Sequence, residues 1–253
     1  SRENSLFEQI VTAVEDALGR KPAGLVFDDY ESLRIDVNGR PCGQGLETGI
    51  VTAEAASIYW ERVRAHRYLD FAMIPHYSWK ILEQHPFVGR GVASRFAWLL
   101  IDEFQDTTDI QIAIFGALQR FLHTRFFLVG DQNQSIMRFA GARPELAEQF
   151  SDQIYAHRNI ALTGNFRCGP AIVTTAARLI PTVPGMQSAG DAAQFPAQVN
   201  YVNVGRPIDA ITDHFLPSLQ NAGIPLGKAA ILAPWWTHLI PVARALREFD
   251  VPV

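Results

Sequence analysis

The sequence predicts an α/β fold, with parallel-sheet halves behind a helical accessory subdomain. Two short unbroken apolar runs, Phe96–Ile101 and Phe126–Val129, flank an amphipathic stretch, the pattern of strands buried between helices. Before residue 90 helical periodicity dominates instead. After residue 160 short apolar runs again alternate with helical patterns, so a second α/β region is expected.

Taken in order, Leu6, Phe7, Ile10, Val11, Val14 and Leu18 keep helical spacing, with Gly19 as a stop. Within the Gly-rich stretch 24–50, Asn38-Gly39 between Ile35-Asp36-Val37 and Arg40 is a hairpin signal. Thr52 is an N-cap candidate for a helix running to about Tyr68. The next helix is expected from Ile74 to about Gln84, with Pro86 near its end. Phe96–Ile101 reads as a parallel strand buried on both faces. Ile110, Ala113, Ile114, Ala117, Leu118 and Phe121 mark the helix that follows, and Phe126–Val129 the next strand. A right-handed strand–helix–strand unit puts loops Asp102–Thr108 and Gly130–Gly141 on one sheet edge, where α/β folds place ligands. Further on, a strand is expected at Ile160–Leu162, then a helix with Pro170 in its first turn and a loop over 181–197. Strands at Val199–Val204 and Ala229–Ala233 would alternate with helices from Pro207 to about Gln220 and from about Thr237 to Phe249.

The 253 residues are 48% hydrophobic and 19% charged, as suits a globular protein with a core. A net charge of −4 gives no global signal for nucleic acid, but 19 of the 22 cationic residues are Arg, so a local groove can still be positive. Cys42 and Cys168 are the only cysteines, which points to a reducing cytoplasm and no disulfide scaffold. No apolar stretch reaches the roughly 18 residues of a membrane span, and no signal peptide is visible. The chain starts Ser-Arg-Glu and stops straight after a helical pattern; both ends read as cuts. The histidines show no ligand spacing and read as surface or satisfied positions, and Trp235-Trp236 as core or interface.

Three loops carry the chemistry. The first holds Asp102, Glu103, Gln105 and Asp106; the second is Gly130-Asp131-Gln132-Asn133-Gln134-Ser135; the third carries Asn165, Phe166 and Arg167. Nucleotide hydrolysis needs a held Mg²⁺, an oriented water and neutralisation of charge on the γ-phosphate. A strand-end acid can hold the metal, and a second acid beside it can take the water's proton. A Gln on the next loop can sense the phosphate, and an Arg can act as a finger.

LLIDEFQDT (99–107), LVGDQNQSI (128–136) with RFAGA (138–142), and LTGNFR (162–167) resemble motifs II, III and IV of the UvrD/Rep (superfamily 1A) DNA helicases. Asp70-Phe71 resembles the Asp-Phe stretch that precedes motif II there. The resemblance implies two RecA-like halves with ATP between them and ATP-driven 3′→5′ movement on single-stranded DNA. It divides the chain into an accessory helical, 1B-like region (1–75), the second part of RecA-like domain 1A (76–160) and the first part of domain 2A (161–253). It implies Asp102 as the Mg²⁺ acid, Glu103 as the base, Gln134 as the γ-phosphate reader and Arg167 as the arginine finger. Phe166 would stack on adenine, and Phe139, with Arg138, would meet DNA. Met137, Ala140 and Asn133 depart from residues frequent in the family. The implied cofactors are ATP and Mg²⁺. The implied partners are single-stranded DNA and DNA junctions, with repair or recombination proteins beyond them.

A phosphate-binding G-x-x-x-x-G-K-[ST] loop is absent. Of Lys21, Lys80 and Lys228, Lys228 alone follows a Gly, and it precedes an apolar run instead of following one. The chain therefore reads as an internal piece of a helicase, inactive alone. The alternative is a helicase-like scaffold that never had the loop. A nuclease or phosphatase would recruit more acids or histidines than these loops offer.

Overall fold

The computed structural model describes residues 2–19, 30, 33–121, 125–157, 160–196, 198–248 and 251. Lys21, His123, Phe249 and most of the Gly-rich stretch before Tyr30 lie outside the described residues. The chain forms two compact units, Ser1–Ile160 and Ala161–Val253.

In the first unit, α1 (Arg2–Leu18) ends at Gly19, whose φ of +63° suits a residue without Cβ. Strands β1 (Leu33–Ile35) and β2 (Pro41–Gly43) pair antiparallel with Arg34 opposite Cys42. Asp36 closes their turn: its side chain accepts from the N–H groups of Asn38 and Arg40 at 2.9 and 2.7 Å. A short α2 (Gln44–Glu47) follows. Helix α3 (Ala53–Ala65) starts at the expected cap, where Thr52 accepts from the Ala55 N–H, and stops short of Tyr68. Val14, Tyr30, Leu33, Ala56, Trp60 and Met73 are core members here. Asp70 pins the exit of this core by accepting from Trp60 Nε1 at 2.7 Å and the Met73 N–H at 2.9 Å.

Helix α4 (Met73–Gln84) is followed by α5 (Pro86–Arg95), which the sequence reading missed. Pro86 opens that helix instead of ending the previous one, because the first turn has no use for its missing N–H. Strand β3 (Trp98–Ile101), α6 (Asp109–Arg120) and β4 (Arg125–Leu128) form the expected unit, with β3 and β4 parallel and in register Ile101 to Leu128. Thr108 and Gln111 form a reciprocal capping box at the start of α6. Helix α7 (Pro144–Gln153) completes the unit.

The expectation that the first strand is buried on both faces is wrong. Leu99 and Ile101 pack inward, but Trp98 and Leu100 are 51% and 73% exposed. Leu99 joins a cluster with α4, α5 and α6, and Ile101, Phe126 and Leu128 join one with α6 and α7, while the opposite side chains face outward. Arg125 covers part of that outer face, its guanidinium 5.5 Å from the centre of the Trp98 ring.

In the second unit the expected helices form and the expected strands do not. Helix α8 (Pro170–Leu179) has Pro170 in its first turn. A helical run over 207–221 comprises α9 (Pro207–Ala210), a π-helical turn Ile211–Phe215 and α10 (Leu216–Asn221). The last helix, α11 (Trp236–Glu248), packs Val242 and Leu246 with Ile211. Residues 160–162, 199–204 and 229–233 carry no ladder. The one described pairing is β5 (Gly164–Asn165) with β6 (Gln187–Ser188), parallel, the latter inside the stretch expected to be loop. Trp235 and Trp236 are 65% and 78% exposed, not core.

Two titratable groups depart from their ordinary values by burial. The Nδ1 of His76 is buried without a hydrogen-bond partner among the described residues, and burial pulls the pKa of this half-buried ring down. Burial, reinforced by Asp109 and Asp36, pushes the Cys42 thiol up to about 11. At pH 8 about 0.1% of Cys42 is then thiolate when folded, against about a quarter when unfolded. Iodoacetamide is expected to modify Cys42 at least ~100-fold faster in urea than in buffer, read by peptide mass spectrometry; equal rates would overturn the burial argument. Because the folded pKa is raised, this thiol's contribution to stability is full below about pH 8.5 and is lost as pH rises towards 11. No helix among the described residues is long and apolar enough to cross a membrane.

Candidate active site at the strand ends

Both chemistry-bearing loops of the first unit leave the carboxyl ends of β3 and β4, as the strand–helix–strand reading requires. They are stitched together: the Phe104 N–H donates to the Val129 carbonyl at 2.8 Å, and the Arg143 N–H to the Thr107 carbonyl at 2.8 Å. An isolated antiparallel bridge pairs Thr108 with Ala142.

Asp102 and Glu103 are both exposed. The Glu103 N–H donates to Asp102 Oδ1 at 2.9 Å. Glu103 adopts φ 49° and ψ 42°, the left-handed region, which costs a residue other than Gly of order 1–3 kcal/mol unless its surroundings impose it. The surroundings do: the Glu103 carbonyl accepts from the Asp106 N–H at 2.9 Å, and its carboxylate accepts from Gln105 Nε2 at 2.7 Å. Gln105 is only 3% exposed, and its Oε1 accepts from the Asp131 N–H at 2.9 Å. Gly130 makes room for this amide: a Cβ there would lie 2.7 Å from Gln105 Oε1 and 3.1 Å from the Gln105 N.

Asp131 in turn shapes the loop that carries Gln134. Its carboxylate accepts from the Asn133 N–H at 3.0 Å and from Gln134 Nε2 at 2.9 Å. A 3₁₀ turn, Arg138–Ala140, then presents Phe139, 59% exposed. Arg138 pairs with Glu145, whose carboxyl is held below its ordinary pKa by that hydrogen bond first. Phe71, Arg34, Arg138, Phe139 and Arg143 line a cavity of about 720 Å³ in this unit.

In the second unit, the Asn165 side chain accepts from the N–H groups of Arg167 and Cys168 at 3.0 and 2.8 Å, fixing the turn that projects Arg167. Phe166 is 74% exposed, its ring resting against Gly164 and Gly190; a Cβ on either would come within 3.0–3.1 Å of it.

The first unit thus brings Asp102, Glu103 and Gln134 to one sheet edge, while Phe166 and Arg167 stand on a turn of the second. Sequence reasoning noted Gln105 and Asp131 without giving them a role. A Gly directly after an apolar strand was the available signal for close packing at 130; nothing local signals that Gln105 is buried.

As a donor set for Mg²⁺ these residues fit only in part of a shell. Among the described residues no three His, Cys, Asp or Glu gather to hold a metal. One carboxylate at a strand end, with Oδ1 engaged by a backbone N–H, suits an ion that takes its remaining ligands from phosphates and water.

The chain is mixed α/β, and its first unit sends two loops from the carboxyl ends of paired parallel strands, the edge where α/β folds bind ligands. Residues 41–155 match the UvrD/REP helicase N-terminal domain. The chain is 28% identical over 155 residues to an ATP-dependent helicase/nuclease subunit of Natranaerobius thermophilus, covering 58% of this chain and 12% of that protein. It is 36% identical over 122 residues to the protein of the same name from Streptococcus sanguinis, 46% of this chain and 10% of that one. A probable DNA helicase II homolog of Mycoplasma pneumoniae is 29% identical over 146 residues, 56% of this chain and 20% of that protein. The chain therefore spans between a tenth and a fifth of the length of these relatives.

Proposed function

We propose that this chain supplies the hydrolytic acid pair, the phosphate-sensing loop and an arginine finger to an ATP-driven helicase that moves 3′→5′ on single-stranded DNA in the cytoplasm. The observation that carries the reading is the joined pair of strand-end loops, with Glu103 tied through Gln105 to the loop of Gln134. The proposed division is an accessory region over 1–75, part of one RecA-like half over 76–160 and part of a second over 161–253.

Asp102 would hold Mg²⁺, which when bound neutralises charge on the phosphates. Glu103 takes the proton of the attacking water. Gln134, released from Asp131, reads the γ-phosphate. Arg167 neutralises the charge that develops on it, and Phe166 offers a stacking face to adenine.

A phosphate-release assay tests the reading. The 253-residue chain, without a phosphate-binding loop in its sequence, is expected to give no DNA-stimulated turnover at saturating Mg-ATP. A full-length protein that carries it is expected to turn over ATP. Turnover near ~1 s⁻¹ by the chain alone would show that the phosphates need no loop from elsewhere. No turnover by the full-length protein would favour a scaffold.

Phe139 is the DNA-facing element of the proposal. It lies five residues beyond Gln134 and half-exposed on the cavity wall beside Arg138 and Arg143. Base stacking on an aromatic is worth ~1–3 kcal/mol, so Phe139→Ala in the full-length protein is expected to weaken oligo-dT binding roughly 5- to 100-fold. The salt dependence should stay unchanged, since no phosphate contact is lost. A fluorescence titration beside a thermal melt decides it; unchanged affinity in a folded variant would remove Phe139 from the DNA site.

A further inference from the structure

We infer that Gln105 is a positioning residue that sets the Glu103 carboxylate and ties it to the Gln134 loop, so that the proposed base and the proposed phosphate reader move as one. The inference rests on the proposed roles of Glu103 and Gln134, and its own evidence is geometric. Gln105 is buried at 3% exposure between two exposed, functional loops. Its amide is used at both ends: Nε2 donates to Glu103 Oε2 at 2.7 Å, and Oε1 accepts from the Asp131 N–H at 2.9 Å. One amide orientation alone satisfies both partners, because an ionised carboxylate only accepts and a backbone N–H only donates.

Two further contacts place the same residue at the junction. The Ser135 hydroxyl donates to the Gln105 carbonyl at 3.5 Å. Gly130 leaves the space that the amide fills. On the Glu103 side, the left-handed backbone leaves the carboxylate direction to be fixed by side-chain contacts, and Gln105 is the side chain that supplies one. On the other side, the Asp131 N–H that Gln105 holds belongs to the residue whose carboxylate holds Gln134. A shift of Gln134 towards phosphate is therefore transmitted through Asp131 and Gln105 to Glu103 by three consecutive hydrogen bonds.

Two variants separate positioning from packing. Gln105→Met keeps length and apolar contact but removes both hydrogen bonds. In the 253-residue chain it is expected to speed amide exchange at Asp131 at least ~10-fold, read by NMR, while the Phe126–Leu128 amides of β4 stay protected. Gln105→Glu keeps an acceptor for the Asp131 N–H and replaces the amide donor with a second acid, which either repels the Glu103 carboxylate or shares a proton with it, so that Glu103 loses its neutral amide partner. In a full-length, ATP-hydrolysing protein that carries this chain, it is expected to lower kcat about 10- to 100-fold, the penalty of a base misplaced by around an ångström, with KM for ATP within about twofold. Asp131 exchange unchanged in Gln105→Met, or wild-type kcat in a folded Gln105→Glu, overturns the inference. Glu103→Gln run alongside separates the two layers: if that variant keeps full turnover, the base assignment fails, while the Asp131 exchange result still reports on the link itself.

Discussion

Glu103→Gln, introduced into a full-length protein that carries this chain and hydrolyses ATP, is expected to lower kcat by about 10²–10⁴-fold, the range for removing a general base. Binding of ATP stays near normal. The substitution is close to isosteric, and the new side chain retains an oxygen that can accept from Gln105 Nε2, so the bond seen at 2.7 Å survives. The left-handed backbone at 103 is likewise untouched, since it is held by Asp102 Oδ1 and the Asp106 N–H. On the proposed assignment, what is lost is the capacity to take a proton from water. Single-turnover hydrolysis beside equilibrium nucleotide binding measures both quantities. Retention of more than a tenth of kcat would assign the base elsewhere.

Arg167→Ala in the same protein is expected to lower kcat by about 10³-fold or more, as for arginine fingers. The fold should not suffer. The turn at 165–168 is fixed by the Asn165 side chain accepting from two backbone N–H groups, not by the guanidinium. Arg167→Lys restores only part of the rate, because an ammonium is a point charge where a planar fork is needed. The measurement is DNA-stimulated phosphate release with a melting curve for each variant. A folded Arg167→Ala with wild-type kcat would leave Arg167 as a surface residue of the turn.

The predicted effects differ in what they ask of the structure. Glu103 depends on a network within one unit, where Gln105, Asp131 and Gly130 restrict every neighbour. Arg167 depends on a single local turn. Damage to the network is therefore expected to reach both Glu103 and Gln134, whereas damage to the turn is confined to Arg167.

Local chemistry was legible in the sequence. The Asn38-Gly39 turn and the Thr52 cap formed as read, because each is decided by residues close in sequence, and the strand–helix–strand unit from Trp98 to Leu128 formed because its two apolar runs pair with each other. The helix at Pro86–Arg95 was missed because a proline ends one helix and opens another with the same residue. The apolar runs at 199–204 and 229–233 read as strands, but a strand exists only as a pairing, and those runs find no partner among the described residues. Asn165 instead pairs with Ser188, across a stretch that looked like loop.

By itself the sequence determined which chemistry-bearing residues exist and which sheet edge of the first unit receives Asp102, Glu103 and Gln134, since parallel strands joined by a helix put both following loops on one side. Only the tertiary structure decided that Trp98 and Leu100 face outward and that Trp235 and Trp236 are exposed, because burial depends on what packs against a side chain and not on its own hydrophobicity. The tertiary structure also made Gln105 more than one polar residue between two acids. Its second partner lies 26 positions away, and only the close approach of the two loops over Gly130 brings that N–H within 2.9 Å.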